Sequence, residues 1–203
     1  MHTLRLTTLL VLIATSALAG PGGWSLKRDA DGIKIYTRSV EGASDVKALR
    51  VTLTAPGTPA QLAKVLMNIP GQKDWVYSTK SSKVLKKISD NEVIYYSEKA
   101  MPWPVTNRDA IMHLRITTVP GTGVMSVRAN TTDYPVAEKE GVIRVPSSSV
   151  TWRITPTSGT EMKIEYEATL DPGGSVPAWV TNLFITKGPY ETFKKLKAML
   201  GGK

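Results

Sequence analysis

The chain has 203 residues, with 26 Lys and Arg against 17 Asp and Glu, a formal net charge of +9 and no cysteine. The missing cysteine excludes disulfides, thiol catalysis and thiolate-bound metals, and the chain's 2 histidines are too few for a histidine metal cluster, so no metal or cofactor is expected. The length suits one domain, which at this size buries roughly 70% of its accessible surface on folding without covalent staples.

Arg5 precedes the apolar run Leu9-Leu10-Val11-Leu12-Ile13-Ala14, and small residues follow as far as Ala17-Leu18-Ala19. This is the pattern of a secretory leader over residues 1–19, cleaved after Ala19, and the run is far shorter than the ~20 residues a membrane span needs. The sequence therefore predicts an exported protein, periplasmic or secreted, whose mature part is residues 20–203. Loss of Arg5 lowers the net charge to +8.

From Trp24 onward, short alternating segments are separated by turn residues. Trp24–Arg28 and Ile33–Arg38 flank Asp31-Gly32, a hairpin dipeptide, and the Asp29/Asp31 pair lacks the remaining ligands of a calcium loop. Lys47–Thr54 alternates as a half-buried strand. Thr58-Pro59 is a cap followed by a first-turn proline, and Leu62, Val65 and Leu66 recur at helical spacing, so a short helix is predicted over 58–69. Thr79–Ile88, Glu92–Lys99, Asn107–Thr118, Val124–Thr132, Ser148–Thr155 and Glu161–Leu170 read as further strands, with a polar loop at Asp133–Glu140. The fold class is α+β, with about nine antiparallel strands in a curved sheet.

The last stretch, Asp171 to Leu200, organises the rest. Gly173-Gly174 ends the preceding strand, Ser175 can cap, and Pro177 suits a first helical turn. Trp179, Leu183, Tyr190, Phe193, Leu196 and Leu200 share one face at a 3.6-residue period, opposite Lys194, Lys195 and Lys197. Pro189 removes the backbone bond to Ile185 and predicts a kink. One amphipathic helix after so many strands needs a concave sheet to lie in. The inward faces of those strands, Ala110, Met112, Leu114 and Ile116, Met125, Val127 and Ala129, Val150, Trp152 and Ile154, are apolar with a methionine-bearing middle. Pattern alone leaves open whether they pack solidly or enclose space.

Met101-Pro102-Trp103-Pro104-Val105-Thr106-Asn107-Arg108-Asp109 resembles the corresponding segment of START domains, the lipid-transfer domains related to the steroidogenic acute regulatory protein. Three further stretches match in order: Asp31-Gly32-Ile33 with Tyr36 and Arg38, Gly141-Val142-Ile143-Arg144-Val145, and Asp171-Pro172-Gly173-Gly174 with Val176, Pro177 and Trp179. The resemblance implies a helix-grip fold, a bent sheet wrapped around the C-terminal helix with a tunnel for one lipid between them. Sterol-type members carry a buried acid and an arginine where Ser97 and Leu114 stand here. Choline-phospholipid binders place an arginine shortly before, and an acid just after, the tryptophan matched to Trp75; here Gln72, Lys73 and Asp74 precede it and Val76 follows. A more apolar tunnel with a hydroxyl is expected.

The expected ligand-binding residues are Leu49, Tyr95, Ser97, Met112, Leu114, Met125, Trp152, Tyr166, Trp179 and Leu183, holding one hydrophobic small molecule or lipid, with no catalytic residue. Arg108 and Asp109 point to opposite faces of their strand and are expected to fix the Met101–Asn107 loop, with Trp103 as a packing anchor. The competing reading is a cyclase- or hydrolase-like small-molecule enzyme of the helix-grip superfamily using Tyr, Asp or Arg in the same cavity, with Tyr95 or Tyr166 as a general acid. The basic charge fits transient contact with an anionic membrane surface better than nucleic acid, which an exported protein rarely meets, and the protein is expected to act as a monomer.

Overall fold

The computed structural model describes residues 23–40, 43–157 and 160–202. The leader expected over residues 1–19 lies outside them. Ten strands form one sheet: β1 (Ser25–Ala30), β2 (Ile33–Val40), β3 (Ala43–Pro56), β4 (Thr79–Ser89), β5 (Glu92–Lys99), β6 (Asn107–Thr118), β7 (Met125–Thr131), β8 (Val142–Arg144), β9 (Ser147–Pro156) and β10 (Glu161–Asp171). Their spatial order is β1-β2-β3-β10-β9-β7-β6-β5-β4, with neighbours antiparallel and β8 alone running parallel to β6. The sequence reading therefore falls one strand short: it omits β8, which has 3 residues and no alternation to read.

Local chemistry accounts for most boundaries. Asp31 and Gly32 both adopt positive φ, 54° and 74°, the geometry of a two-residue hairpin whose twist matches its strands. At the start of α1 (Pro59–Met67) the Thr58 hydroxyl accepts the Gln61 N–H while the Gln61 side chain accepts the Thr58 N–H, a closed capping box. A short 3₁₀ turn (Ile69–Gly71) and α2 (Gln72–Trp75) follow.

The C-terminal helix has α3 (Ala178–Asn182), a π-helical turn (Leu183–Lys187) and α4 (Gly188–Leu200) in unbroken succession. Its N-cap is Pro177, with no side-chain cap, so Ser175 does not serve there. Gly188 donates its N–H to the Leu183 carbonyl, five residues back. The wider turn precedes Pro189, whose ring nitrogen has no proton to give, so the expected kink takes the form of a π-turn. A Cβ on Gly188 would approach Tyr77 Cδ1 to 2.9 Å, so this helix position lies directly against the Tyr77 ring.

The concave face divides in two. Toward one end Leu62, Leu66 and Ile69 pack onto Val51, Leu53, Ile116, Met125, Val127, Ile154, Met162 and Ile164, a continuous buried cluster. Phe193 and Leu196 of α4 close this core from above, at 2% and 0% exposure. Toward the other end, between β5, β6, β9, β10 and the C-terminal helix, the sheet stays hollow.

Candidate functional site

The hollow is a cavity of about 370 Å³. Its sheet wall is built from the inward alternation of six strands: Leu49 of β3, Tyr95 and Ser97 of β5, Met112 and Leu114 of β6, Ala129 of β7, Trp152 of β9, and Tyr166 of β10. Gln72, Trp75 and Val76 line it from α2, and Phe184, Ile185, Pro189 and Phe193 from the helix. Trp152, Tyr166 and Phe193 form a mutually edge-on or tilted triad with ring centroids 5.0–5.3 Å apart, which fixes the boundary between filled core and cavity. Leu170, 41% exposed, and Pro172 and Val176 line the cavity where it reaches the surface.

Seven of the ten residues expected from sequence therefore share this lining: Leu49, Tyr95, Ser97, Met112, Leu114, Trp152 and Tyr166. Three do not. Met125 is 2% exposed but pairs with Ile154 at the far end of the sheet, where it belongs to the buried cluster and borders a separate, more open pocket of about 590 Å³ beside α1. Trp179 is 50% exposed, and Leu183 is absent from the cavity wall. The π-turn explains both: it inserts one residue between the two halves of the helix, so the stripe that begins at Tyr190 and Phe193 continues backward through Phe184, Ile185 and Val180. A uniform 3.6-residue period cannot register that slip. Trp103 also departs from expectation, standing 90% exposed instead of packed.

The loop charges are sorted by face. Asp109, 2% exposed, accepts two bonds from Arg144, Nε to Oδ1 at 2.6 Å and Nη2 to Oδ2 at 3.2 Å, tying β8 to β6. Arg108, facing the other way, is 4% exposed and donates to the carbonyls of Thr106 and Gly173, which fixes the loop as its sequence position suggests. Its guanidinium also lines the cavity, and the Arg108 Nε and Ser97 Oγ have no hydrogen-bond partner among the described residues. Lys99 lines the cavity beside it and was missed from sequence, although continuing the inward phase of Tyr95 and Ser97 by two residues reaches it.

On the outer side, Glu98 takes bonds from Lys80 and Lys139, each at 2.9 Å, and from Asn107 and the Tyr96 hydroxyl, each at 3.3 Å. Burial opposes its ionisation, yet the two lysine bonds outweigh it and hold the carboxyl down to about 2 from an ordinary 4.5. The folded-state value lies below the unfolded one, so the stabilisation is complete above about pH 4.5 and is lost as pH falls toward 2. Wild type should lose on the order of 2 kcal/mol more stability across that window than Glu98→Gln, a figure held down by the half-exposed lysines. Parallel denaturant titrations at pH 5 and pH 2.5 check it; equal losses in the two proteins contradict the assignment.

A curved, mostly antiparallel sheet, hollow at one end and closed over by a long C-terminal helix, is a helix-grip arrangement. The START domain family matches residues 5–202, and the chain belongs to that family. It is 33% identical to an uncharacterized protein of Pseudomonas aeruginosa over 96% of both chains, and 30% identical to the phosphatidylcholine transfer protein of Mus musculus, covering 85% of this chain and 80% of the mouse protein. The crystal structure of a STAR-related lipid transfer protein from Xanthomonas axonopodis superposes with a TM-score of 0.78 at 31% identity, over 88% of this chain and 98% of that one. Human STARD10 shares the fold at a TM-score of 0.75 and 21% identity.

Proposed function

We propose that the protein binds one hydrophobic molecule in the cavity between sheet and C-terminal helix and carries it to or from a membrane. The observation that carries this reading is the 370 Å³ cavity itself, lined mostly by apolar groups and more enclosed than the pocket beside α1. The lipid-transfer names of its relatives support the same class. A volume near the low end of the roughly 300–1,000 Å³ typical of small-molecule sites suits a single-chain or compact lipid better than two long acyl chains. Removing the ligand's apolar surface from water supplies affinity at about 25 cal/mol per Å². Trp103, with an indole 90% exposed beside a cavity-lining stretch that includes Met101, is suited to an interface of headgroups and acyl chains, and the protein's positive charge favours anionic lipid. The leader read at residues 1–19 supports action outside the cytoplasm.

The enzyme reading is weaker. Burial raises the Tyr95 and Tyr166 hydroxyls well above their usual range, the second further raised by the first, so neither is poised to exchange protons near neutral pH.

Nile red, a neutral probe, should bind with enhanced emission, and Ala110→Phe, which projects a ring into the space, should weaken binding at least tenfold with the melting transition still cooperative. Equal binding by both proteins would place the probe elsewhere and reject the cavity as the site. In vesicle flotation, Trp103→Ala should recover less protein than wild type on anionic vesicles; equal recovery removes the membrane role of that indole.

A further inference from the structure

Strand alternation sorts the charges around the cavity in an unequal way. On β5, Ser97 and Lys99 face in and Glu98 faces out; on β6, Arg108 and Ala110 face in and Asp109 faces out. Lys99 and Arg108 are direct cross-strand partners, as are Ser97 and Ala110. The two outward acids are fully engaged by other cations, Asp109 by Arg144 and Glu98 by Lys80 and Lys139. The two inward cations have no carboxylate within salt-bridge distance among the described residues. Among the described residues Asp109 is the one acid that also borders the cavity, and both its oxygens are already held.

Like charges directly opposite each other on a sheet repel, and a desolvated cation with no counter-charge is costly. Arg108 cannot shed its proton, and its Nε lacks a partner at 4% exposure. Ser97, 7% exposed, holds an unpartnered hydroxyl two residues along β5 from Lys99, on the same face. Lys99 is satisfied only by neutral oxygens, the Thr79 hydroxyl and the Tyr77 carbonyl. Burial pushes its ammonium down to about 7, in keeping with a site that lacks an anion. The Gly173 carbonyl that accepts from Arg108 belongs to the segment at the surface end of the cavity, so the cations stand near its opening while the aromatic triad lies deeper.

We infer that the cavity takes an amphiphile with a compact anionic head, a carboxylate or a phosphate monoester, whose charged oxygens pair with Lys99 and Arg108 and accept from Ser97 while its chain extends toward Trp152 and Phe193. This rests on the cavity being a ligand site and names the class of ligand. Arg108 offers a planar fork to two oxygens and Lys99 a point charge, a combination suited to either head. A choline head would bring a quaternary ammonium against two cations.

The test compares hexadecanoate, hexadecyl phosphate and hexadecanol, below their aggregation limits at neutral pH, with binding read from displacement of Nile red. Wild type should bind hexadecanoate or hexadecyl phosphate at least about tenfold more tightly than hexadecanol. In Lys99→Met that preference should shrink severalfold, with Arg108 left as the remaining cation, and Lys99→Arg should restore it. Lys99→Met should also melt no lower than wild type, because it removes a desolvated charge; a residue with a purely structural role would lower the melting temperature. Equal affinities for all three probes in wild type overturn this inference and leave the cavity reading intact. Failure of every probe to bind overturns both. Competition by inorganic phosphate as strong as that by hexadecyl phosphate would mean that the site reads a free anion, and the lipid assignment would fall.

Discussion

Phe193→Ala should destabilise the protein by about 3 kcal/mol, the low end of the usual 3–5 kcal/mol range for a buried phenylalanine. The ring is 2% exposed and packs against Trp152 and Tyr166 at centroid distances of 5.3 and 5.2 Å, so its contacts with the triad are lost outright. One side of it, however, already borders the 370 Å³ cavity, where fewer neighbouring atoms are left without a partner by truncation. For a domain of this size such a loss corresponds to a drop of roughly 6–12 °C in melting temperature. The new space is continuous with the cavity, so a bulky neutral probe should raise the variant's melting temperature more than it raises that of wild type. A loss under 1 kcal/mol in denaturant titration, or equal ligand stabilisation of both proteins, would show that Phe193 does not form the wall between core and cavity.

That wall marks the limit of what period-based reading can supply. Strands such as β10 are legible because Met162 and Ile164 alternate with Lys163 and Glu165, and burial on one face imposes the same alternation in three dimensions. The start of α1 is legible because Thr58 is itself the cap and Pro59 the first helical residue. β8 is not: three residues paired in parallel with β6 have no period, and their placement depends on Arg144 meeting an aspartate 35 residues away. The phase of the C-terminal helix is lost at its π-turn, which moves Trp179 and Leu183 off the cavity. The apolar alternation is identical at the two ends of the sheet; the position of α1 decides that Met125 borders the pocket beside that helix while Met112 lines the cavity under the C-terminal helix. The cation pair is harder to see, because a lysine at a strand end, Lys99, reads as a solvated terminus, and Arg108 reads from sequence as a fixture of the Met101–Asn107 loop. Their inward phase, two residues beyond Ser97 and two before Ala110, was nevertheless present in the sequence.

Asp109→Ala should be about as damaging as the loss of Phe193, near 3–5 kcal/mol, for an electrostatic reason. The carboxylate is 2% exposed and holds the Arg144 guanidinium through two bonds, while Arg144 Nη1 and Nη2 also reach the carbonyls of Val136 and Ala137, each at 3.4 Å. Removing the acid leaves a largely buried guanidinium without its counter-charge and loosens β8 together with the polar segment before it. Truncating both partners should be milder than truncating one, because no uncompensated charge remains. The double variant Asp109→Ala, Arg144→Met is therefore expected to recover at least half of the loss, giving a coupling energy on the order of 2 kcal/mol in a double-mutant cycle. Strict additivity would mean that the pair contributes through separate contacts. The same variants separate the two faces of the strand: Lys99 and Arg108 lie on the cavity side, so the double variant should keep the preference for an anionic over a neutral amphiphile even where its melting temperature is lower. If that preference disappears with Asp109, the outward pair orients Arg108, and anion recognition depends on both faces of β6.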